Sequence, residues 1–162
     1  MDEHKKILVG SDHAGFGHKE KLIPYLKELG YEVEDKGAFE YNEEDDYPDF
    51  IIPLAREISK HPNEYRGIIF GLSGQGEAMA ANKFSDVRAA VYYGKVQCVV
   101  EGEEDSVIKL SREHNDANIL SIGARFTTAE EMKEVVKEWL ETPFTNEERH
   151  KRRKAKMDRI NE

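Results

Sequence analysis

Cysteine is nearly absent: Cys98 is the single one among 162 residues. That excludes an intramolecular disulfide and any metal site built on several cysteines. No run approaches the roughly 20 apolar residues a membrane helix needs. The opening MDEHKKILVGSDHAG is too short in apolar residues for a secretory core, so export is not expected and a cytoplasmic location is. Bases are in deficit: 24 Lys and Arg stand against 33 Asp and Glu, a net charge of −9. That balance argues against general affinity for nucleic acid. Internal repeats and low-complexity tracts are also missing.

What is present fits one domain over residues 1–162. Hydrophobic residues make up 38% of the chain, and they cluster at 7–9 and 67–72, which argues against global disorder. Charge is uneven. Residues 40–49 hold six acids and no base, whereas 147–159 hold seven Lys and Arg against three acids. The basic end reads as a solvated helix, a local phosphate clamp or an RNA-binding tail. The absence of interleaved aromatics there disfavours RNA.

Short apolar runs bounded by turn residues predict strands at 6–11, 31–35, 66–71, 87–92 and 118–122. Helical spacing predicts helices over 17–29, 50–58, 77–84, 107–114, 128–140 and 146–160. Gly30 suits the end of the first, and Pro48 and Asp49 the start of the second. Thr127 or Thr128, with Glu130 or Glu131, predicts a capping box. Residues 96–100 read as either a short strand or an apolar loop. Strands alternating with helices imply a three-layer α/β/α, Rossmann-like fold with a five-stranded parallel sheet and a C-terminal helix.

Ligands in such folds sit beyond the carboxyl ends of the strands. Asp12-His13 follows the first strand, 73–77 the third, and Arg125 the fifth. The turn GLSGQGE at 71–77 joins a strand to a helix and can receive an anion on its backbone N–H groups. It lacks the Gly-Lys-Ser/Thr of a Walker loop and the G-x-G-x-x-G of a dinucleotide site. A purely structural turn is the alternative. Glu77 can be a favourable first-turn carboxylate, or a general base beside an oxyanion-binding loop. Asp12-His13 and His114-Asn115-Asp116 are further polar clusters, with capping roles as their alternatives. An Asn at the helix end would favour Asn115 for the C-cap. His4, His18 and His61 read as surface residues, and no ligand spacing supports a metal site. Arg149 and Arg153 share one helix face, spaced to grip a phosphate; Arg152 points elsewhere.

GSDHAGFGHKEKL at 10–22, DYPDF at 46–50, GLSGQGEAMAANKF at 71–84, HNDANILSIGAR at 114–125 and RHKRR at 149–153 resemble ribose-5-phosphate isomerase B and its sugar-phosphate isomerase relatives. The segments run in the family's order over nearly the whole chain. The resemblance implies an aldose–ketose isomerase acting through an enediolate, with no metal or organic cofactor. It implies Glu77 as the base. Some members use a cysteine at the end of strand three instead, where this chain has Gly71, and Cys98 lies elsewhere. Ser73 and the amides of Gly74, Gln75 and Gly76 would hold the enediolate oxygen. Asp12 and His114 would help open the sugar ring, and Tyr47 and Asn115 would contact the sugar. His13, Arg125, Arg149, Arg153 and His150 would bind the phosphate. The family implies a homodimer or homotetramer whose active sites are shared between chains. Residues 94–105 stand out as an insertion. Alternatives are an isomerase of allose or galactose 6-phosphate and a non-catalytic sugar-phosphate sensor.

Overall fold

The computed structural model describes residues 5–103 and 105–160. His4 therefore lies outside the described residues, as does one position of the 94–105 segment. Five strands form one parallel sheet: β1 Lys6–Ser11, β2 Val33–Asp35, β3 Tyr65–Gly71, β4 Ala89–Tyr92 and β5 Ile119–Gly123. Their order is β2-β1-β3-β5-β4. The helices among the described residues are α1 Phe16–Glu28, α2 Tyr47–Lys60, α3 Gln75–Ala81, α4 Val107–Glu113, α5 Ala129–Glu141 and α6 Glu148–Asp158, plus one 3-10 turn at His13–Gly15.

Strand alternation builds the three layers. On β1, Ile7 and Val9 face one side with Leu22 and Leu26 of α1, Ile108 of α4 and Trp139 of α5. Leu8 faces the other side, against Ile51, Leu54 and Ile58 of α2. β3 divides likewise, Ile68 and Phe70 to the first side and Ile69 to the second. Strands buried on both faces have no polar stripe, which explains their continuous apolar runs. Chain order places β2 and β3 on opposite sides of β1. The switch point thus falls between β1 and β3, where open α/β sheets bind ligands.

Several boundaries shift for identifiable reasons. The N–H of Tyr31 closes helix α1 on the Leu26 carbonyl, so β2 begins at Val33. Gly74 adopts a left-handed φ of 76° and starts α3 at Gln75. That helix stops at Ala81 because the Asn82 side chain turns to bond both backbone groups of Ala89. β4 starts late because the Arg88 N–H donates to Asn118 Oδ1. Thr128 does cap α5, accepting from the Glu131 N–H at 3.2 Å. The capping box is only half made, since Glu131 Oε1 accepts from the Tyr92 hydroxyl instead. Residues 96–100 form a loop, with Val99 97% exposed. His18 is half-buried rather than on the surface: its Nε2 lies 2.7 Å from the Thr127 carbonyl, and its ring lies beside Phe70. The left-handed residue after α4 is Asp116, at φ 48°, and not Asn115.

No helix among the described residues is long and apolar enough to cross a membrane.

Candidate active site

Three chain segments meet at the carboxyl ends of β1 and β3. The first is Asp12, which caps the 3-10 turn and accepts the Gly15 N–H at 3.2 Å. Burial pushes its carboxyl above the ordinary 3.8; the Gly15 N–H opposes that shift. The second is the turn after β3. Its geometry is held by Ser121 of β5, whose hydroxyl donates to the Gly74 carbonyl at 2.7 Å. The Ala124 and Arg125 N–H groups also bond the carbonyls of Gly71 and Leu72. The third is Tyr47, which opens α2 with its hydroxyl over Gly76: a Cβ there would lie 2.7 Å from the phenolic oxygen.

Glu77 is 4% exposed in the first turn of α3. Its carboxylate folds back over Gly71, where a Cβ would lie 1.6 Å from Oε1. Burial raises its pKa above the ordinary 4.5, its own N–H pulls the other way, and the nearby charge of Asp12 adds to the rise. The group is therefore a stronger base once ionised than a solvated glutamate. Gln75 N–H points at Ser73 Oγ, 3.3 Å away.

Beside this centre a cavity of about 510 Å³ is lined by His13, Ala14, Tyr41, Glu43, Leu72 and Arg125. His13 and Arg125 give it a basic wall. His13 Nδ1 lies 2.6 Å from Asp45 Oδ1. That hydrogen bond raises the imidazole pKa above 6.5, against the opposing effect of burial and with help from Asp12, Asp45 and Glu43 charges. Asp45 was not a sequence candidate. The available signal was its place in the loop leaving β2, which ends at the same edge of the sheet.

The remaining candidates lie elsewhere. His114 and Asn115 precede β5, so they sit at the amino edge of the sheet. The length of β5 alone, about 13 Å, separates that edge from the Glu77 edge. The ring of His150 lies 4.2 Å from that of His114, and its Nδ1 lies 2.9 Å from Thr145 Oγ1. His150 is 1% exposed. Burial lowers its pKa, and the charges of His114 and Arg149 add to that. Arg149 and Arg153 lie exposed on α6, with Arg149 Nε 2.8 Å from Glu147 Oε2. Asp116 pins this end. Arg112 Nη1 approaches its Oδ1 at 2.8 Å, Arg88 Nη2 its Oδ2 at 3.2 Å, and Arg66 is 3.9 Å away. Within one chain the candidates thus form two sets at opposite ends of the sheet.

Among the described residues, two groups bring three potential metal-ligand atoms within 4.8 Å of one another: Asp12, His13 and Asp45, and Cys98, Glu103 and Asp105. In the first, His13 and Asp45 are already bonded to each other, and Asp12 is bonded to the Gly15 N–H. Spacing did not reveal it because Asp45 is 32 residues from His13.

A buried carboxylate, a glycine-rich turn and a cavity with a basic wall lie together at the switch point of a parallel α/β sheet, an arrangement suited to moving a proton beside the carbonyl of an anionic substrate. Residues 7–157 match the Ribose/Galactose Isomerase family model. Ribose-5-phosphate isomerase B of Mycolicibacterium paratuberculosis is 38% identical over 148 residues, covering 91% of this chain and 86% of the relative. The Escherichia coli protein of the same name is 38% identical over 136 residues, 84% and 83% of the two chains. The crystal structure of ribose-5-phosphate isomerase B from Mycoplasma genitalium with bound ribulose-5-phosphate superposes with a TM-score of 0.86 at 32% identity, over 96% and 95% of the chains. The chain belongs to the ribose/galactose isomerase family.

Proposed function

We propose that the protein interconverts ribose 5-phosphate and ribulose 5-phosphate through an enediolate, with Glu77 as the proton carrier. The observation that carries this is the buried carboxylate of Glu77, held over Gly71 beside the 73–76 turn. Glu77 takes the proton from C2 of the open-chain aldose and returns it to C1, while the O2 proton passes to O1. Ser73 and the amides of Gly74, Gln75 and Gly76 stabilise the charge that develops on oxygen. Asp12 works with His114 on the ring oxygen and hydroxyls, and Tyr47 and Asn115 contact the sugar. His13 and Arg125 line the cavity that takes the phosphate.

His114, Asn115, Arg149 and Arg153 come from a second copy of the chain. The support is their position at the far end of the sheet from Glu77, which no side chain can bridge. His150 then acts from behind, its buried ring packed at a tilt against that of His114. The assembly is a homodimer, or a homotetramer containing that dimer. Residues 94–105 are an insertion that removes none of the matched site residues.

Proton NMR in heavy water, with ribose, allose and galactose phosphates offered separately, tests the reading. Conversion of the pentose phosphate with deuterium entering at the migrating position is expected. Tight binding of the pentose phosphate without turnover would contradict it, and turnover of a hexose phosphate alone would reassign the substrate.

A further inference from the structure

We propose that Asp45 is a positioning residue that holds His13 as a fixed cation, its Nε2–H aimed at the phosphoryl end of the substrate. The inference rests on the phosphate-binding reading of the His13–Arg125 cavity given above and adds a residue to it.

One carboxylate oxygen does two jobs. Asp45 Oδ1 accepts the backbone N–H of His13 at 3.0 Å and lies 2.6 Å from its ring Nδ1. A carboxylate only accepts, so Nδ1 carries the proton, and Nε2 is the ring's remaining hydrogen-bonding position. The main chain and the ring of His13 are thus pinned from one point. The ring edge is further confined by Tyr41, with centroids 6.2 Å apart. His13 keeps 30% of its side chain exposed and lines the cavity with Arg125.

Asp45 is not an ordinary loop acid. Its side chain is 9% exposed, and its Oδ2 is buried without a hydrogen-bond partner. Burying an ionised oxygen unpaired is costly. The imidazolium of His13 is the charge that offsets it, so the pair is most favourable with His13 protonated. The loop is anchored to deliver this carboxylate. Buried Lys19 donates to Asp35 Oδ2 at 2.6 Å, and Asp35 Oδ1 accepts the Gly37 N–H at 2.8 Å. Ala38 N–H then bonds the Ser11 carbonyl, one residue before Asp12. The charged and titratable groups facing His13 are Asp12, Glu43 and Asp45, with Tyr41 and Arg125 across the cavity.

The test uses Asp45→Asn in the full chain, with sulfate as a tetrahedral dianion whose charge is constant across neutral pH. Ring-nitrogen NMR should show the His13 pKa falling by about one unit, and sulfate should bind roughly tenfold more weakly at pH 7.5, the scale of one charge-assisted hydrogen bond. In a His13→Gln background the same substitution only removes a negative charge near the anion, so sulfate affinity should not fall. An unmoved His13 titration overturns the proposal, and so does equal weakening in both backgrounds. If the variant does not fold, the native protein decides. Its sulfate affinity must fall as pH rises through the measured His13 pKa, and an affinity indifferent to that titration overturns the proposal. Failure of the native protein to turn over ribose 5-phosphate would strike the isomerase reading alone, since the sulfate titrations need no turnover.

Discussion

The carboxylate of Glu77 fills the space a side chain at residue 71 would need. A Cβ on Gly71 would lie 1.6 Å from Oε1, 2.1 Å from the carboxyl carbon and 2.6 Å from Oε2. A side chain at the end of β3 and a carboxylate reaching back from α3 are therefore alternatives for one position. This gives a steric reason why the resemblance to relatives that carry a cysteine there stops at Gly71.

Gly71→Ala should displace the carboxylate without unfolding the sheet, because the clash falls on the end of a side chain. Since a misplacement of about 1 Å can cost roughly 100-fold in rate, kcat/KM should drop on that order. Steady-state kinetics alongside circular dichroism checks this. Unaltered kinetics would mean that Glu77 does not work from its observed place.

The pH profile should carry the signature of burial. Glu77 must be ionised to accept a proton, and its pKa lies above 4.5. The acidic limb of kcat/KM should therefore turn over above pH 4.5, activity rising with pH through the folded-state value. Glu77→Asp should retain a limb at shifted pH with lower turnover. A native limb below pH 4.5 would contradict the assignment.

Mixing inactive subunits tests the shared site. Glu77→Gln and His114→Asn are each expected to be nearly inactive. Combined one to one and allowed to exchange, half the dimers are mixed, and each has one intact site. About a quarter of native activity should return, a consequence of two-fold symmetry. No recovery, with exchange verified by mass spectrometry, would place the complete site within one chain.

Asp116 is the keystone of the amino edge, and its loss should be felt in stability first. Desolvation pushes its carboxyl up, but the Arg112 hydrogen bond and the charges of Arg112, Arg88 and Arg66 outweigh that and hold it below 3.8. A depressed folded-state pKa adds stability fully present above pH 3.8 and lost as pH falls through the folded value. Asp116→Asn should cost about 3 kcal/mol at pH 7, the scale for breaking a buried ion pair. The gap between variant and native protein should narrow at low pH. Urea unfolding at both pH values measures it, and a gap that does not vary with pH would contradict the ion-pair account.

Much of this was legible from residue order. Most strands are short apolar runs ended by turn residues, β2 with its Glu34 and Asp35 being the exception, so the five-stranded sheet and the position of Asp12, Ser73–Glu77 and Arg125 at one edge followed from residue order. His114 was legible as part of a polar cluster, but its place at the amino edge, away from Glu77, came from the structure. What lay beyond sequence was long-range side-chain pairing. Asp45 and His13 meet across 32 residues. Asp116 takes the left-handed turn beside Asn115 because three guanidinium groups hold its side chain. Glu131 leaves its capping role because the Tyr92 hydroxyl, 39 residues away, competes for it. Local propensity contains no term for such partners.

The central claim is that Glu77 moves the proton. The most direct measurement is solvent exchange of the C2 proton of ribose 5-phosphate, followed by NMR in heavy water with Glu77→Gln protein shown to be folded. A general base contributes on the order of 100- to 10,000-fold, so exchange should slow by at least that range while the sugar phosphate still binds. Exchange at the native rate would show that another group carries the proton.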